Sequence, residues 1–133
     1  DDECKFHLIS PDGYNGGFEH LFDGVRFGTE FKTAEDTAKY SRFCRYVTDN
    51  ASLKEFDAKY YWQVMDSLMC SGADYWWFAY YLPEMQRGYD IRAIKIYPDE
   101  AEFKVLRDAL NEAMPIYKEA YEFELSKFNQ LTK

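Results

Sequence analysis

Tyr75-Trp76-Trp77-Phe78-Ala79-Tyr80-Tyr81-Leu82 carries no charge and no polar alternation. An apolar run of this length, rich in aromatic residues and bounded by Gly72 on one side and Pro83 on the other, predicts a strand covered on both faces and placed at the centre of a sheet. Its neighbours fit that placement. Downstream, Pro83 to Asp90 reads as a loop and Ile91 to Tyr97 as a second strand. Asp99 then caps a long helix, with Glu102 completing a capping box. Phe103, Leu106, Leu110, Ala113, Tyr117, Tyr121 and Phe128 give that helix an apolar spacing near 3.6, and Pro115 is expected to kink it.

Upstream, Ser52 with Glu55 forms a second capping box, opening a helix that runs to about Cys70. Leu53, Phe56, Tyr60, Val64 and Leu68 make its apolar face, and Lys59, Gln63 and Ser67 an adjoining polar stripe. Residues 34–47 predict a more polar helix on Tyr40, Phe43 and Val47. Before it, Val25 to Thr33 alternates as a strand should: Val25, Phe27, Thr29 and Phe31 on one face, Arg26, Gly28, Glu30 and Lys32 on the other. Glu30 and Lys32 are thus expected as neighbours on a polar face. Gly17 to Leu21 reads as a short strand with a hairpin signal at Phe22-Asp23-Gly24, Tyr14-Asn15-Gly16-Gly17 as a loop, Pro11-Asp12-Gly13 as a turn, and residues 4–10 as a strand. The whole predicts an α/β fold in one domain over residues 1–133.

Composition narrows the function classes. Aromatic residues at 20% and hydrophobic residues at 47% exclude disorder. No apolar run reaches the roughly 20 residues of a membrane span, so a soluble cytoplasmic protein is expected. Cys4, Cys44 and Cys70 form neither a disulfide framework nor a zinc pattern. A net charge of −8 argues against bulk attraction to nucleic acid. Residues 32–59 are the exception, with six bases against five acids. Lys39, Arg42, Arg45 and Lys59 in this segment are the candidate contacts to phosphate.

The pattern [Asp/Glu]-x-Lys is expected about twice by chance in such a composition and occurs four times, at Glu3, Glu30, Asp57 and Glu102. Residues i and i+2 of a helix diverge, which removes the pairs at Asp57 and Glu102. The pair at Glu3 has no acid on a preceding strand. Glu30/Lys32 alone lies on a strand that follows a strand-end acid, Asp12. Two such carboxylates, with the backbone carbonyl of Phe31, can hold Mg²⁺ or Mn²⁺ through oxygen while water and a substrate phosphate complete the shell. Lys32 can then orient water or stabilise the transition state of phosphodiester hydrolysis. The same residues also read as a solvated edge-strand ion pair, Glu30 with Lys32 or Arg26, and Asp12 as a turn former.

From Ser10 onward, through Ser10-Pro11-Asp12-Gly13, Thr29-Glu30-Phe31-Lys32, Tyr60-Tyr61-Trp62-Gln63-Val64 and Tyr75 to Met85, the chain resembles the phage lambda exonuclease family, the YqaJ-like viral recombinases of the PD-(D/E)xK nuclease superfamily. The resemblance implies a restriction-endonuclease-like core with a central mixed sheet flanked by helices. It implies a Mg²⁺-dependent exonuclease that degrades one strand of duplex DNA from its 5′ end in phage-type recombination, leaving a 3′ overhang for a single-strand annealing protein. On that template Asp12 and Glu30 are metal ligands, Lys32 is the catalytic lysine, and Gln63 positions substrate or water; the bland reading of Gln63 is a surface glutamine. A homo-trimer and the cytoplasm of a bacterial host, with phage or prophage origin, follow from the same resemblance. Two departures stand out. The family's N-terminal region, which brings a further acidic residue and groups for the 5′ phosphate, is expected before Asp1, and Thr33 stands where Cys-Pro often follows Glu-x-Lys. Another endonuclease or repair nuclease of the superfamily, or an inactive interaction domain on the same fold, is the alternative.

Overall fold

The computed structural model describes residues 11–131; the strand expected over residues 4–10 and the pair at Glu3 lie outside them. The described chain is α/β. Its strands are β1 (Gly13–Tyr14), β2 (Phe27–Thr33), β3 (Tyr75–Tyr81) and β4 (Ile91–Ile96), in one sheet of order β1-β2-β3-β4. The sheet is mixed, with β2 and β3 parallel and both other pairings antiparallel. A parallel pair needs a long crossover, here made of three helices: α1 (Thr37–Tyr46), α2 (Asn50–Phe56) and α3 (Ala58–Ser71). Helix α4 (Glu100–Leu131) follows β4. The contacts group the chain into two compact units, one over Ile9–Asp99 and one built on α4.

Within the first unit the core lies on one face of the sheet. Trp76, Phe78 and Tyr80 of β3 and Ile94 and Ile96 of β4 are buried there, opposed by Tyr40 and Phe43 of α1, Leu53 of α2, and Tyr61, Val64, Met65 and Leu68 of α3. Rings dominate the contact. Phe43 lies 4.8 Å from Tyr80 and 5.7 Å from Phe78, and Phe56 and Tyr60 approach Tyr80 and Phe78 at 5.9 and 5.5 Å between centroids. Each such pair is worth about 0.5–1.5 kcal/mol beyond its buried area. The opposite face is less enclosed. Tyr75, Trp77 and Tyr81 stay partly exposed, so β3 is central in its pairing but not buried equally on both faces.

Alternation along β2 sets its faces as expected, yet the face bearing Glu30 and Lys32 is not the solvated one. The register pairs Gly28 with Trp76, Glu30 with Phe78 and Lys32 with Tyr80, so the two charged side chains share the helix-covered face. Phe31, on the other face, is 53% exposed. The sequence pattern assigns faces by polarity, and the parallel neighbour reverses that assignment.

Other boundaries moved for local reasons. The expected strand at Gly17–Leu21 is a 3-10 turn over Glu19–Phe22, closed by Asp23 at φ 57°. The turn expected at Pro11-Asp12-Gly13 and the loop after it contribute Gly13–Tyr14 as a strand against β2. Asn15 secures that edge: its side chain accepts from the Phe27 N–H at 2.7 Å and donates to the Val25 carbonyl at 2.8 Å. The helix predicted over 34–47 begins at Thr37, capped by Asp36, because Ala34 still donates to the Tyr81 carbonyl. The single helix predicted from Ser52 to Cys70 is two. Asp49 is the N-cap and Ser52 the reciprocal partner in the box, and the chain turns extended at Asp57, which caps α3 by accepting from the Tyr60 N–H. The Asp57 pair is therefore dismissed for a different reason than helix geometry: its carboxylate is committed to a cap. Beyond β3 the Leu82 N–H bonds to the Asp90 carbonyl, closing the hairpin into β4. Helix α4 runs through Pro115.

Candidate metal centre

The β1–β2 register explains how Asp12 reaches Glu30 and Lys32. Gly13 pairs with Thr29 and Tyr14 with Gly28; one step further places Asp12 across from Glu30. In antiparallel ladders, alternate residues exchange both N–H and C=O with the partner strand. The Asn15 N–H donates to the Phe27 carbonyl and the Phe27 N–H to the Asn15 side chain, so the hydrogen-bonded positions continue to Gly13 with Thr29 and then Pro11 with Phe31. Proline has no N–H. At that step the ladder cannot supply a donor from Pro11 to the Phe31 carbonyl; separately, the Phe31 N–H donates to the Asp12 side chain, at Oδ2, 2.8 Å away. The Asp12 carboxylate is thereby held at the backbone of β2, close enough to Glu30 for its charge to act on that carboxyl. The Phe31 carbonyl, on the same edge as its N–H, faces the same side.

Lys32 Nζ lies 3.3 Å from Glu30 Oε1, with only 27% and 16% of the two side chains exposed. Burial raises the Glu30 pKa above its ordinary value; hydrogen bonding to Lys32 pulls it back and the charge of Asp12 pushes it up again, the net being a raised pKa. A carboxyl in this setting is costly to ionise without a further cation.

Tyr60, a residue that the sequence places only on an apolar helix face, completes the surroundings. Lys32 Nζ is 5.5 Å from its ring centroid and Lys39 Nζ 5.4 Å, cation–π distances that hold both ammonium groups. The Tyr60 backbone N–H donates to Asp57, the N-cap of α3. The one sequence signal for Tyr60 was its place in Tyr60-Tyr61-Trp62-Gln63.

The other predicted site residues divide. Gln63 is exposed on α3 and forms no hydrogen bond with Asp12, Glu30 or Lys32 among the described residues. Lys39 is tied down, 3.5 Å from Asp57 and 3.7 Å from Glu35 and lying over the Phe56 and Tyr60 rings. Its burial opposes the charge, but Tyr60, Glu35 and Asp57 outweigh this and raise its pKa. Arg42 and Arg45 on α1 and Lys59 on α3 are exposed. The structure thus gathers Asp12, Glu30, the Phe31 carbonyl and Lys32, attaches Lys39 through Tyr60, and leaves Gln63, Arg42, Arg45 and Lys59 at the surface.

An all-oxygen donor set of two carboxylates and a carbonyl fits a hard divalent cation that keeps several waters, as Mg²⁺ does. No group of three or more His, Cys, Asp or Glu side chains converges on a metal site among the described residues. Nor, among them, is any helix long and apolar enough to cross a membrane. Compared with models of known protein families the chain matches none, and no curated protein matches it.

Proposed function

We propose that the chain is a divalent-metal-dependent deoxyribonuclease, an exonuclease acting at the ends of linear duplex DNA. The single observation that carries this reading is the hydrogen bond from the Phe31 N–H to Asp12, which sets a second carboxylate beside the Glu30/Lys32 pair. Asp12 and Glu30 would hold Mg²⁺ or Mn²⁺ together with the Phe31 carbonyl. When bound, such an ion supplies a water of lowered pKa and neutralises charge on the phosphate. A cation binds the ionised form of Glu30, whose pKa is raised by burial, so loading becomes more favourable as pH rises. Lys32, now paired with Glu30, then has the reach to donate to a phosphate oxygen or to orient water, with the Tyr60 ring holding its ammonium. Arg42, Arg45 and Lys59 are available to phosphates along the duplex, and Gln63 to a neighbouring nucleotide.

The 5′ to 3′ direction, the 3′ overhang, the annealing partner, the homo-trimer and the phage setting rest on the family resemblance. The restriction-endonuclease-like identity of the core rests on it too, supported by the mixed sheet, by Glu30 on β2 and by Asp12 just before β1. The test is digestion of blunt linear duplex DNA with Mg²⁺ by the full-length protein. Metal-dependent digestion lost in Asp12→Ala and in Lys32→Ala is expected; digestion at the wild-type rate in both would reject the assignment. Cutting of covalently closed DNA would move the reading to an endonuclease.

One observation favours a second reading. The acids available at the site among the described residues are two, and Lys32 neutralises one of them, as in an interaction domain that retains the fold without activity. Absence of Mn²⁺ binding would select it.

A further inference from the structure

We propose that the cleft between α1 and α2 is a nucleotide subsite, in which Arg42 takes a phosphate, Tyr46 stacks on the base and Glu55 reads the donor edge of guanine. The inference rests on the nuclease reading for the class of its ligand, a nucleotide of the DNA strand away from the cut.

The cleft has a volume of about 380 Å³ and is lined by Arg42, Tyr46, Val47, Ser52, Glu55 and Phe56. That lies at the lower end of the roughly 300–1,000 Å³ of ligand pockets. Its floor is apolar and its rim is not. Val47 is fully buried, and the Phe56 ring is set against Phe43 at 5.5 Å and Tyr80 at 5.9 Å between centroids. Ser52 is committed to the capping box of α2. Arg42, Tyr46 and Glu55 stand exposed at the rim, Tyr46 with 65% of its surface in water. Four residues separate Arg42 from Tyr46 on α1, so the two project to the same side. Among the described residues no hydrogen bond or ion pair engages the side chain of Arg42 or of Glu55.

Opposite charges that line one cleft without pairing call for a ligand that is anionic at one end and donates at the other. A guanine nucleotide is such a molecule. Its phosphate matches the planar fork of a guanidinium, its base offers a flat face to a tyrosine ring, and the guanine edge presents two N–H donors side by side to the two oxygens of one carboxylate. Thymine has a single N–H flanked by carbonyls, which repel a carboxylate. The place of the cleft agrees. Lys39 Nζ lies 5.8 Å from the centroid of the Phe56 ring that walls the cleft and 5.4 Å from that of Tyr60, over which Lys32 sits at 5.5 Å. Arg42 follows Lys39 by three residues, on the same side of α1. Lys32, Lys39 and Arg42 thus mark a cationic track from the candidate metal centre to the cleft, suited to the phosphates of one DNA strand.

Titration of the metal-free full chain with dGMP and with dTMP, followed by amide chemical shifts in NMR, tests the subsite apart from hydrolysis. Shifts at Arg42, Tyr46, Glu55 and Phe56 are expected, with dGMP bound about tenfold more tightly than dTMP. Glu55→Ala should abolish that preference and leave dTMP unchanged. Tyr46→Ala should weaken both nucleotides at least about fivefold, and Tyr46→Phe should retain them. Arg42→Ala should weaken dGMP but not deoxyguanosine, which has no phosphate. No shifts in the cleft, equal affinity for dGMP and dTMP, or dGMP binding indifferent to Arg42→Ala or Glu55→Ala would each overturn the proposal. Should that happen while Mg²⁺-dependent digestion persists, the nuclease reading stands without this subsite; dGMP bound as expected by a protein that digests no DNA supports the subsite and rejects the nuclease.

Discussion

Gly28→Ala is the sharpest probe of the sheet on which the site is built. Parallel register sets Gly28 beside Trp76, and a methyl group at Gly28 would fall under 3.0 Å from the Cη2, Cζ2 and Cζ3 atoms of the Trp76 ring. The ring has little room to withdraw: Trp76 is fully buried and Tyr14 stacks on it at 6.0 Å between centroids. Overpacking of this kind costs about 1–3 kcal/mol. Loss of unfolded-state freedom on replacing glycine returns about 0.4–1 kcal/mol, leaving a net loss of about 1–2 kcal/mol. For a chain of this size that corresponds to a fall in Tm of about 3–10 °C. The assay is thermal and urea unfolding followed by circular dichroism, with the near-ultraviolet signal reporting the Trp76 environment. Trp76→Phe shortens the ring system and removes an indole Nε1 buried without a partner, so in the double variant Gly28→Ala should cost less than it does alone. A Gly28→Ala protein as stable as wild type, or more stable, would refute the β2–β3 register and with it the placement of Glu30 and Lys32.

Glu30→Gln tests the electrostatics. A carboxyl with a raised folded pKa contributes stability that is present in acid, below its ordinary value of 4.5, and is lost as pH rises through the folded value. The advantage of Glu30→Gln over wild type should therefore grow from pH 4 to pH 7 in urea titrations; an advantage that shrinks with pH contradicts the assignment. Asp57→Ala removes the cap on α3 and a partner of Lys39, and about 1–2 kcal/mol of stability should go with it; Asp57→Asn, which keeps the cap, should recover most of this. Asn15→Ala removes two hydrogen bonds that fasten the edge strand to β2, so a loss of about 1–3 kcal/mol is expected, with hydrogen exchange of the Phe27 amide accelerating beyond the average.

The aromatic run at residues 75–82 was legible as a central strand because length, flanking breakers and lack of charge all agree. Glu30 and Lys32 were likewise legible as strand positions, whereas Asp12, expected to end a strand that lies outside the described residues, is a bend just before β1. What local patterns could not show was which face of β2 the helices cover. Polarity assigned Glu30 and Lys32 to water, but register with Phe78 and Tyr80 decides the face, and register is a long-range property. The break at Asp57 was hidden by a continuous apolar period: Leu53, Phe56, Tyr60 and Val64 keep helical spacing across a residue whose side chain caps the next helix. Tyr60 was missed at the site because a tyrosine on an apolar stripe looks like core, and only three-dimensional placement sets two lysines over its ring. The bond from the Phe31 N–H to Asp12 is equally non-local, since it exists only once β1 is laid against β2.

The central claim is that Asp12 and Glu30 form one divalent-cation site. Calorimetric titration of Mn²⁺ into the wild-type protein, Asp12→Ala and Glu30→Gln at two pH values tests it most directly. The account predicts binding to the wild type that strengthens with pH and disappears in both variants; Mn²⁺ binding of unchanged affinity in either variant, or none in the wild type, would contradict it.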